Sequence, residues 1–122
     1  MGNSDKQNSV IESIKNATVE LLILSLLEKG DMHTYAIMEK LDILSDGFFK
    51  ITFPYAAIYK LLNNNYIFEC GKKIDANRRR QFYSITPEGR KYLNTAKKEF
   101  IEYQAAAEKI INNSDNIKKR GT

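Results

Sequence analysis

The chain has 122 residues, enough for one hydrophobic core and too few for two independent domains. Hydrophobic residues make up 43% and charged residues 28%, which excludes a wholly disordered chain. The net charge of +4 permits binding to a polyanion without requiring it, so the distribution of the charge must decide.

The amino-terminal segment and the single cysteine bear on the cellular compartment. The most apolar run, VELLILSLL, is far shorter than the roughly 20 residues that cross a bilayer. The start, MGNSDKQNS, is polar and lacks the features of a secretory signal. One cysteine cannot form a disulfide within the chain. We therefore expect a cytoplasmic protein without a membrane span.

Two helices are predicted before residue 47. In SVIESIKNATVELLILSLLEKG the apolar residues recur at helical spacing, and Gly30 is predicted to cap the carboxyl end of this helix. The pattern leaves open whether the helix is broken near Asn16. The predicted apolar side comprises Val10, Ile14, Ala17, Leu21, Leu24 and Leu27. The second helix, TYAIMEKLDIL, ends where Gly47 can take a positive φ. Its predicted packing side comprises Tyr35, Met38, Leu41 and Leu44.

A third helix is predicted over residues 52–64, with Thr52 as the cap and Pro54 in the first turn. Helical geometry separates its residues into two faces. The predicted packing face comprises Pro54, Ile58, Leu61 and Asn65, and the free face comprises Tyr55, Ala56, Tyr59, Lys60 and Asn63.

Two strands of an antiparallel hairpin follow at 67–85. YIFECGKKI and RRRQFYSIT are rich in β-branched and aromatic residues and flank the turn sequence DAN. Apolar side chains occur at both parities, so the register and the inward face stay open. Five cations cluster around the tip against one acid, Asp75: Lys72, Lys73, Arg78, Arg79 and Arg80.

The last helix has a strong start signal, because Thr86 can cap it, Pro87 suits its first position and Glu88 faces the positive end of its dipole. Apolar residues then alternate at gaps of three and four, the spacing of a helix that packs against another helix. This heptad stripe comprises Leu93, Ala96, Phe100, Tyr103, Ala107 and Ile110. Residues 113–122 are polar, and we expect them to fray.

Three helices, a hairpin with a basic tip and a long last helix are the order of a winged helix-turn-helix, here mainly α with one small β-hairpin. In that fold the third helix enters the major groove of DNA and the hairpin, or wing, contacts the neighbouring backbone. Cations on a projecting turn can neutralise phosphates. Taken alone, the same charges are equally explained as a solvated hairpin tip.

Stretches between about residues 21 and 93 resemble the PadR-like family of transcriptional regulators: LLILSLLEKGDMHTYAIMEKL, AAIYKLL and the wing exit RRRQFYSITPEGRKYL. The resemblance implies a bacterial repressor that binds operator DNA as a dimer and is released by an apolar small molecule or another signal. By position it implies DNA contacts from Tyr55, Tyr59, Lys60 and the cationic wing.

The sequence also departs from the family pattern. Thr34 stands where the family usually has Gly, Ala57 where it has Ser or Thr, and Lys60 where Pro is common. The missing hydroxyl at residue 57 removes one expected phosphate contact. Asn65 replaces a usual Gly after the third helix, a mild change because Asn tolerates a positive φ.

A homodimer is expected because the stripe of the last helix would otherwise expose an apolar face to water. The predicted interface comprises Val10, Ile14, Leu93, Ala96, Phe100, Tyr103, Ala107 and Ile110. The alternative is that the stripe folds back on the chain's own first helix. We thus expect a DNA-binding domain over 1–92 and a dimerisation helix over 93–112.

No catalytic chemistry is predicted. One His and one Cys cannot build a metal cluster from His and Cys ligands, and no phosphate-binding loop or nucleophile motif is present, so we expect no cofactor. His33 is expected to form a hydrogen bond or packing contact at the start of the second helix. Cys70 is expected to be an inert thiol, although Lys72 would lower its pKa if both were exposed. The competing function is a winged-helix protein-interaction module without DNA binding.

Overall fold

The computed structural model describes residues 9–51 and 54–113. Four helices and three strands follow one another: α1 Val10–Leu27, β1 Met32–His33, α2 Thr34–Leu44, α3 Tyr55–Asn63, β2 Ile67–Asp75, β3 Arg78–Ile85 and α4 Pro87–Asn112. This order confirms the predicted winged helix-turn-helix with a long last helix. The predicted cap Thr52 and the predicted tail beyond Asn113 lie outside the described residues.

One core joins all four helices to the sheet. Its fully buried side chains come from every helix and from β2, because each element turns one apolar side inward. They are Ile23, Leu24, Leu27, Ile37, Ile58, Leu61, Ile67 and Leu93. Leu93 was predicted as a dimer contact, and that prediction is wrong because the side chain is 0% exposed within its own subunit.

The first helix is continuous through Asn16, and only its carboxyl-terminal half enters the core. Val10 and Ile14 remain 71% and 51% exposed, whereas Leu24 and Leu27 are buried. The helix ends at Glu28 in a right-handed conformation, and Gly30 does not have a positive φ. The predicted glycine cap at Gly30 is therefore wrong, since the turn is closed without a left-handed residue.

The packing side of α2 differs from the prediction. Ile37 and Leu41, one turn apart, are buried, whereas Tyr35 and Leu44 are 54% and 66% exposed. An 11-residue helix offers two overlapping apolar sides, and packing selects the one that carries Ile37. As predicted, Gly47 has a positive φ of 83° just after the helix.

The sheet has the strand order β1-β3-β2 and is antiparallel throughout. The sequence did not predict β1, which has only two residues and pairs Met32 with Tyr83 and His33 with Phe82. In the hairpin, Ile67 pairs with Ile85 and Asp75 with Arg78. These pairs fix the register that the apolar pattern left open.

The last helix begins as predicted. The Thr86 hydroxyl accepts a hydrogen bond from Gly89 N–H at 2.8 Å and donates one to the Asn65 carbonyl at 2.7 Å. Asn65 has a φ of 64°, as expected for an Asn in place of Gly. Thr86 therefore joins the start of α4 to the end of α3, and so fixes the base of the wing relative to α3.

Candidate nucleic-acid interface

The outer face of α3 is free. Ile58 and Leu61 are 0% exposed, and their burial turns the opposite side of the helix toward solvent. Pro54 is buried at the cap position directly before the helix, whereas it was predicted inside the first turn, because the helix begins at Tyr55, later than predicted. Five predicted contact residues lie exposed on this face: Tyr55, Ala56, Tyr59, Lys60 and Asn63. Asn65, predicted on the packing face, lies beyond the helix and is exposed.

Lys60 has a weak internal partner. Its Nζ lies 3.5 Å from Glu20 Oε2, and its side chain is 67% exposed. Ion pairs in water contribute little, so this contact does not hold Lys60 away from a stronger anion. Ala57 is 8% exposed on the packing side, and its methyl group offers no hydrogen-bonding atom to this face.

The wing ends in a tight turn that holds its cations close together. Ala76 and Asn77 both have positive φ, at 50° and 62°, the conformation of a two-residue hairpin turn. Lys73 pairs directly with Arg80, and like charges in that arrangement repel. Lys73 Nζ lies 4.9 Å from the centre of the Phe82 ring, and the Arg80 guanidinium lies 5.2 Å from that of Tyr35. These aromatic contacts offset part of the repulsion.

A bulge at Cys70 interrupts the ladder between β2 and β3. Glu69 pairs with Tyr83 and Gly71 with Phe82, so Cys70 has no partner, and Gly71 takes a φ of 125° that favours glycine. A bulge bends and twists a strand. It divides the base of the hairpin, which packs on the core, from the exposed cationic part.

The wing, α3 and the start of α2 surround one surface cavity of about 360 Å³. Its lining includes Tyr55 from α3 together with Arg79 and Arg80 from β3. Within the described residues, the buried Nε of Arg80 has no hydrogen-bond partner. The cavity therefore combines aromatic edges from the helix with guanidinium groups from the wing, one of which keeps a donor without an acceptor.

Sequence reasoning missed part of this surface. Tyr35, Met38 and Gln81 also line the cavity, although Tyr35 and Met38 were predicted to pack inward from α2. The one signal for this in the sequence is that Ile37 and Tyr35 lie on different sides of the predicted helix. A helix that packs through the side of Ile37 must expose Tyr35. The predicted cations Lys72, Lys73 and Arg78 are exposed on the same wing but do not line the cavity.

Two groups beside the site have raised pKa values. Burial, and then the nearby Glu69 carboxylate, raises the pKa of the Tyr83 phenol, which favours its neutral form. Burial also raises the pKa of the Cys70 thiol, and Asp31, whose Oδ2 lies 3.6 Å from Sγ, raises it further. Lys73 rather than the predicted Lys72 opposes this effect, and the net shift is away from thiolate.

The far end of α4 forms a second exposed surface. Ala96 and Phe100 are half-buried, and the Lys97–Glu28 ion pair at 2.8 Å ties this part of α4 to the end of α1. Beyond Phe100 every described residue is exposed except Ala107, with Tyr103 at 70% and Ile110 at 76%. The stripe therefore does not fold back along its whole length on α1.

Residues 9–51 and 54–113 contain no group of three His, Cys, Asp or Glu side chains arranged to hold a metal ion. No helix among the same residues is long and apolar enough to cross a bilayer.

Comparisons with known proteins point to one family. The model of the transcriptional regulator PadR-like family matches residues 23–95. The solved structure of a transcriptional regulator from Clostridium thermocellum is similar to this chain, with 33% sequence identity and a TM-score of 0.66. The match covers 84% of this chain and 97% of the other chain. A solved Streptococcus mutans protein is 26% identical, with a TM-score of 0.68 over 78% of this chain and 87% of its own.

A PadR family regulator from Eggerthella lenta is only 19% identical, and its TM-score of 0.74 over 93% of this chain and 99% of its own shows the shared fold. No curated protein matches the sequence.

Proposed function

The chain belongs to the PadR-like family of transcriptional regulators, and we propose that it is a repressor that binds operator DNA as a homodimer and is released by a small-molecule effector. Members of this family are transcriptional regulators and not enzymes, and regulation by such a protein implies DNA as its partner.

The observation that carries the proposal is the cavity shared by Tyr55, Arg79 and Arg80. If α3 entered the major groove of a duplex, the wing would contact the adjacent sugar-phosphate backbone of that duplex. The guanidinium groups of Arg79 and Arg80 favour an anionic occupant, because they carry a permanent positive charge and several donors that match phosphate oxygens.

We assign base contacts to α3 and phosphate contacts to the wing. The α3 set comprises Tyr55, Ala56, Tyr59, Lys60 and Asn63, and the wing set comprises Lys72, Lys73, Arg78, Arg79 and Arg80. Side chains on a helix in the major groove meet base edges, whereas projecting cations meet the backbone. Because Ala57 lacks the hydroxyl that the family usually has at this position, we assign the contacts to the DNA phosphates to the wing.

The proposed dimer uses the exposed apolar residues of α1 and α4. Val10, Ile14, Tyr103 and Ile110 are each at least half exposed, which supports a partner that covers them. In a two-fold dimer the two α3 helices would lie roughly 34 Å apart, one turn of DNA. Residues 1–92 would then form the DNA-binding domain and 93–112 the dimerisation helix.

The proposed effector is an apolar molecule held between the subunits near α1 and α4. The family resemblance supports release by such a molecule, and the exposed Val, Ile and Tyr side chains there offer an apolar surface. Ultracentrifugation of the DNA complex with candidate apolar compounds would test it, since an effector should return the protein to the free dimer.

A gel-shift titration with the DNA upstream of the chain's own gene tests DNA binding. We expect a shift at low salt that weakens steeply as salt rises, because each phosphate contact releases condensed counterions. The competing protein-interaction module predicts no shift even at low salt. A shift with a shallow salt dependence would contradict the phosphate contacts of the wing.

A further inference from the structure

We propose that His33 is a positioning residue for DNA binding: its imidazole holds Asp75, and through Asp75 the tip of the wing, against the start of α2. The proposal rests on the proposed DNA-binding function. It assigns a role to two residues that make no predicted DNA contact.

The hydrogen bonds of His33 define its state. His33 is 4% exposed and occupies the cap position of α2, where its Nδ1 accepts a hydrogen bond from Ala36 N–H at 3.2 Å. A nitrogen that accepts carries no proton, so the tautomer that fits both contacts of the ring has its proton on Nε2. Nε2 lies 2.9 Å from Asp75 Oδ2 and donates to it. The two residues are 42 positions apart in the chain.

The ring is held in place by its neighbours. Phe82 contacts it edge-on with centroids 5.1 Å apart, and Tyr35 lies nearly parallel to it at 6.4 Å. The backbone of His33 also pairs with Phe82 across the sheet. The donor that reaches Asp75 is therefore fixed by α2, by the sheet and by two aromatic rings, which is how a side chain is pre-organised.

Asp75 is an acid in the middle of the cationic wing. It is the last residue of β2, directly before the turn, and the only acid between residues 72 and 86. A carboxylate beside cations that bind phosphate repels DNA and lowers affinity. Its side chain is 56% exposed, yet one carboxylate oxygen accepts a hydrogen bond from the buried imidazole of His33. A structural role for its hydrogen bond to His33 explains why a negative charge is present among these cations.

The contact matters because the wing has few other anchors. Every residue from Gly71 to Arg79 is exposed, so no apolar packing holds the tip. A free hairpin would lose conformational entropy on binding DNA, which weakens affinity. Holding Asp75 keeps Arg79 and Arg80 beside Tyr55 before DNA arrives.

Two substitutions separate the contact from the charge. Asp75→Asn and Asp75→Ala remove the same negative charge, but only the Asn oxygen can still accept from His33 Nε2–H. We expect Asp75→Ala to bind the upstream DNA about fivefold or more weakly than Asp75→Asn at the same salt. Their affinities should fall with salt at equal slopes. Equal affinities of the two variants would overturn the proposal.

Nitrogen-15 NMR of the free protein tests the contact without DNA. We expect the wild-type His33 ring to be protonated on Nε2 alone, and the amides of Ala76 and Asn77 to be as rigid in Asp75→Asn as in wild type and more mobile in Asp75→Ala. Equal mobility in all three would refute the contact. If these NMR results hold but wild type binds no DNA, the proposed function fails, and the positioning role fails with it.

Discussion

Tyr59 and Arg79 offer different chemistry to a duplex. Tyr59 is 61% exposed on α3, where its hydroxyl and ring edge can meet bases. Arg79 lies on the wing beside the shared cavity and can meet any phosphate. The same protein surface should therefore contain residues that affect specificity and residues that affect only affinity.

We predict that Tyr59→Ala reduces discrimination between operator and unrelated DNA by about 1–3 kcal/mol, whereas Arg79→Ala weakens both DNAs equally and lowers the salt slope by about 1. Fluorescence anisotropy at several salt concentrations measures both. Lys109→Ala, which removes the same charge from the exposed far end of α4, is the control and should change neither. Identical behaviour of the Tyr59 and Arg79 variants would contradict the assignment.

The Cys70 thiol should react slowly. Its pKa is raised by burial and by Asp31, so less thiolate is present at neutral pH than in an unstructured peptide. We predict that alkylation of the native protein at pH 7 is slower than that of the urea-unfolded protein, and that its rate rises at higher pH than for the unfolded thiol. A faster native reaction at pH 7 would contradict this and would favour a redox-sensing role.

Thr86 connects α3 to α4 through two hydrogen bonds and is 7% exposed. We predict that Thr86→Ala lowers the free energy of unfolding by about 1–2 kcal/mol, because the cap of α4 and the donor to Asn65 are both lost. Urea denaturation measures the loss. Thr86→Ser keeps the hydroxyl and should retain most of the stability, and equal losses in both variants would mean that the hydroxyl is not the cause.

At the scale of elements, local signals predicted what depends on neighbouring residues. The start of α4 followed from Thr86, Pro87 and Glu88, which lie next to one another. The free face of α3 followed from the spacing of Ile58 and Leu61. The order of these elements then sufficed for the fold class.

Contacts between distant segments could not be predicted in this way. The bulge at Cys70 and the strand β1 depend on pairing partners far along the chain, and a two-residue strand carries no periodic pattern. The side of α2 depends on which of two apolar stripes the core accepts. For the same reason Tyr35 and the His33–Asp75 contact were absent from the predicted site.

The exposed half of α4 leads to a prediction about assembly. We expect Ile110→Glu to shift the protein from a dimer to the 14.1 kDa monomer at micromolar concentration, because a carboxylate would have to be buried in the proposed interface. Ala105→Glu adds the same group to another exposed position of α4, outside the stripe, and should leave the dimer intact. Sedimentation measures both, and a wild-type protein that is already monomeric would remove the proposed dimer.

At the scale of the whole molecule, the net charge of +4 is modest, and its placement matters more than its size. The wing carries five cations, of which Arg79 and Arg80 line the cavity, and α3 contributes Tyr55 to the same cavity. The core and the Thr86 junction fix these elements relative to each other. The central claim is that one duplex touches both at once.

An NMR titration of the nitrogen-15-labelled protein with the upstream duplex tests that claim most directly. We predict that the amide signals of Tyr55, Tyr59 and Arg78–Arg80 shift together and at the same DNA ratio, while that of Ile110 on α4 does not shift. Shifts confined to the wing or to α3 alone, or centred on the far end of α4, would contradict it.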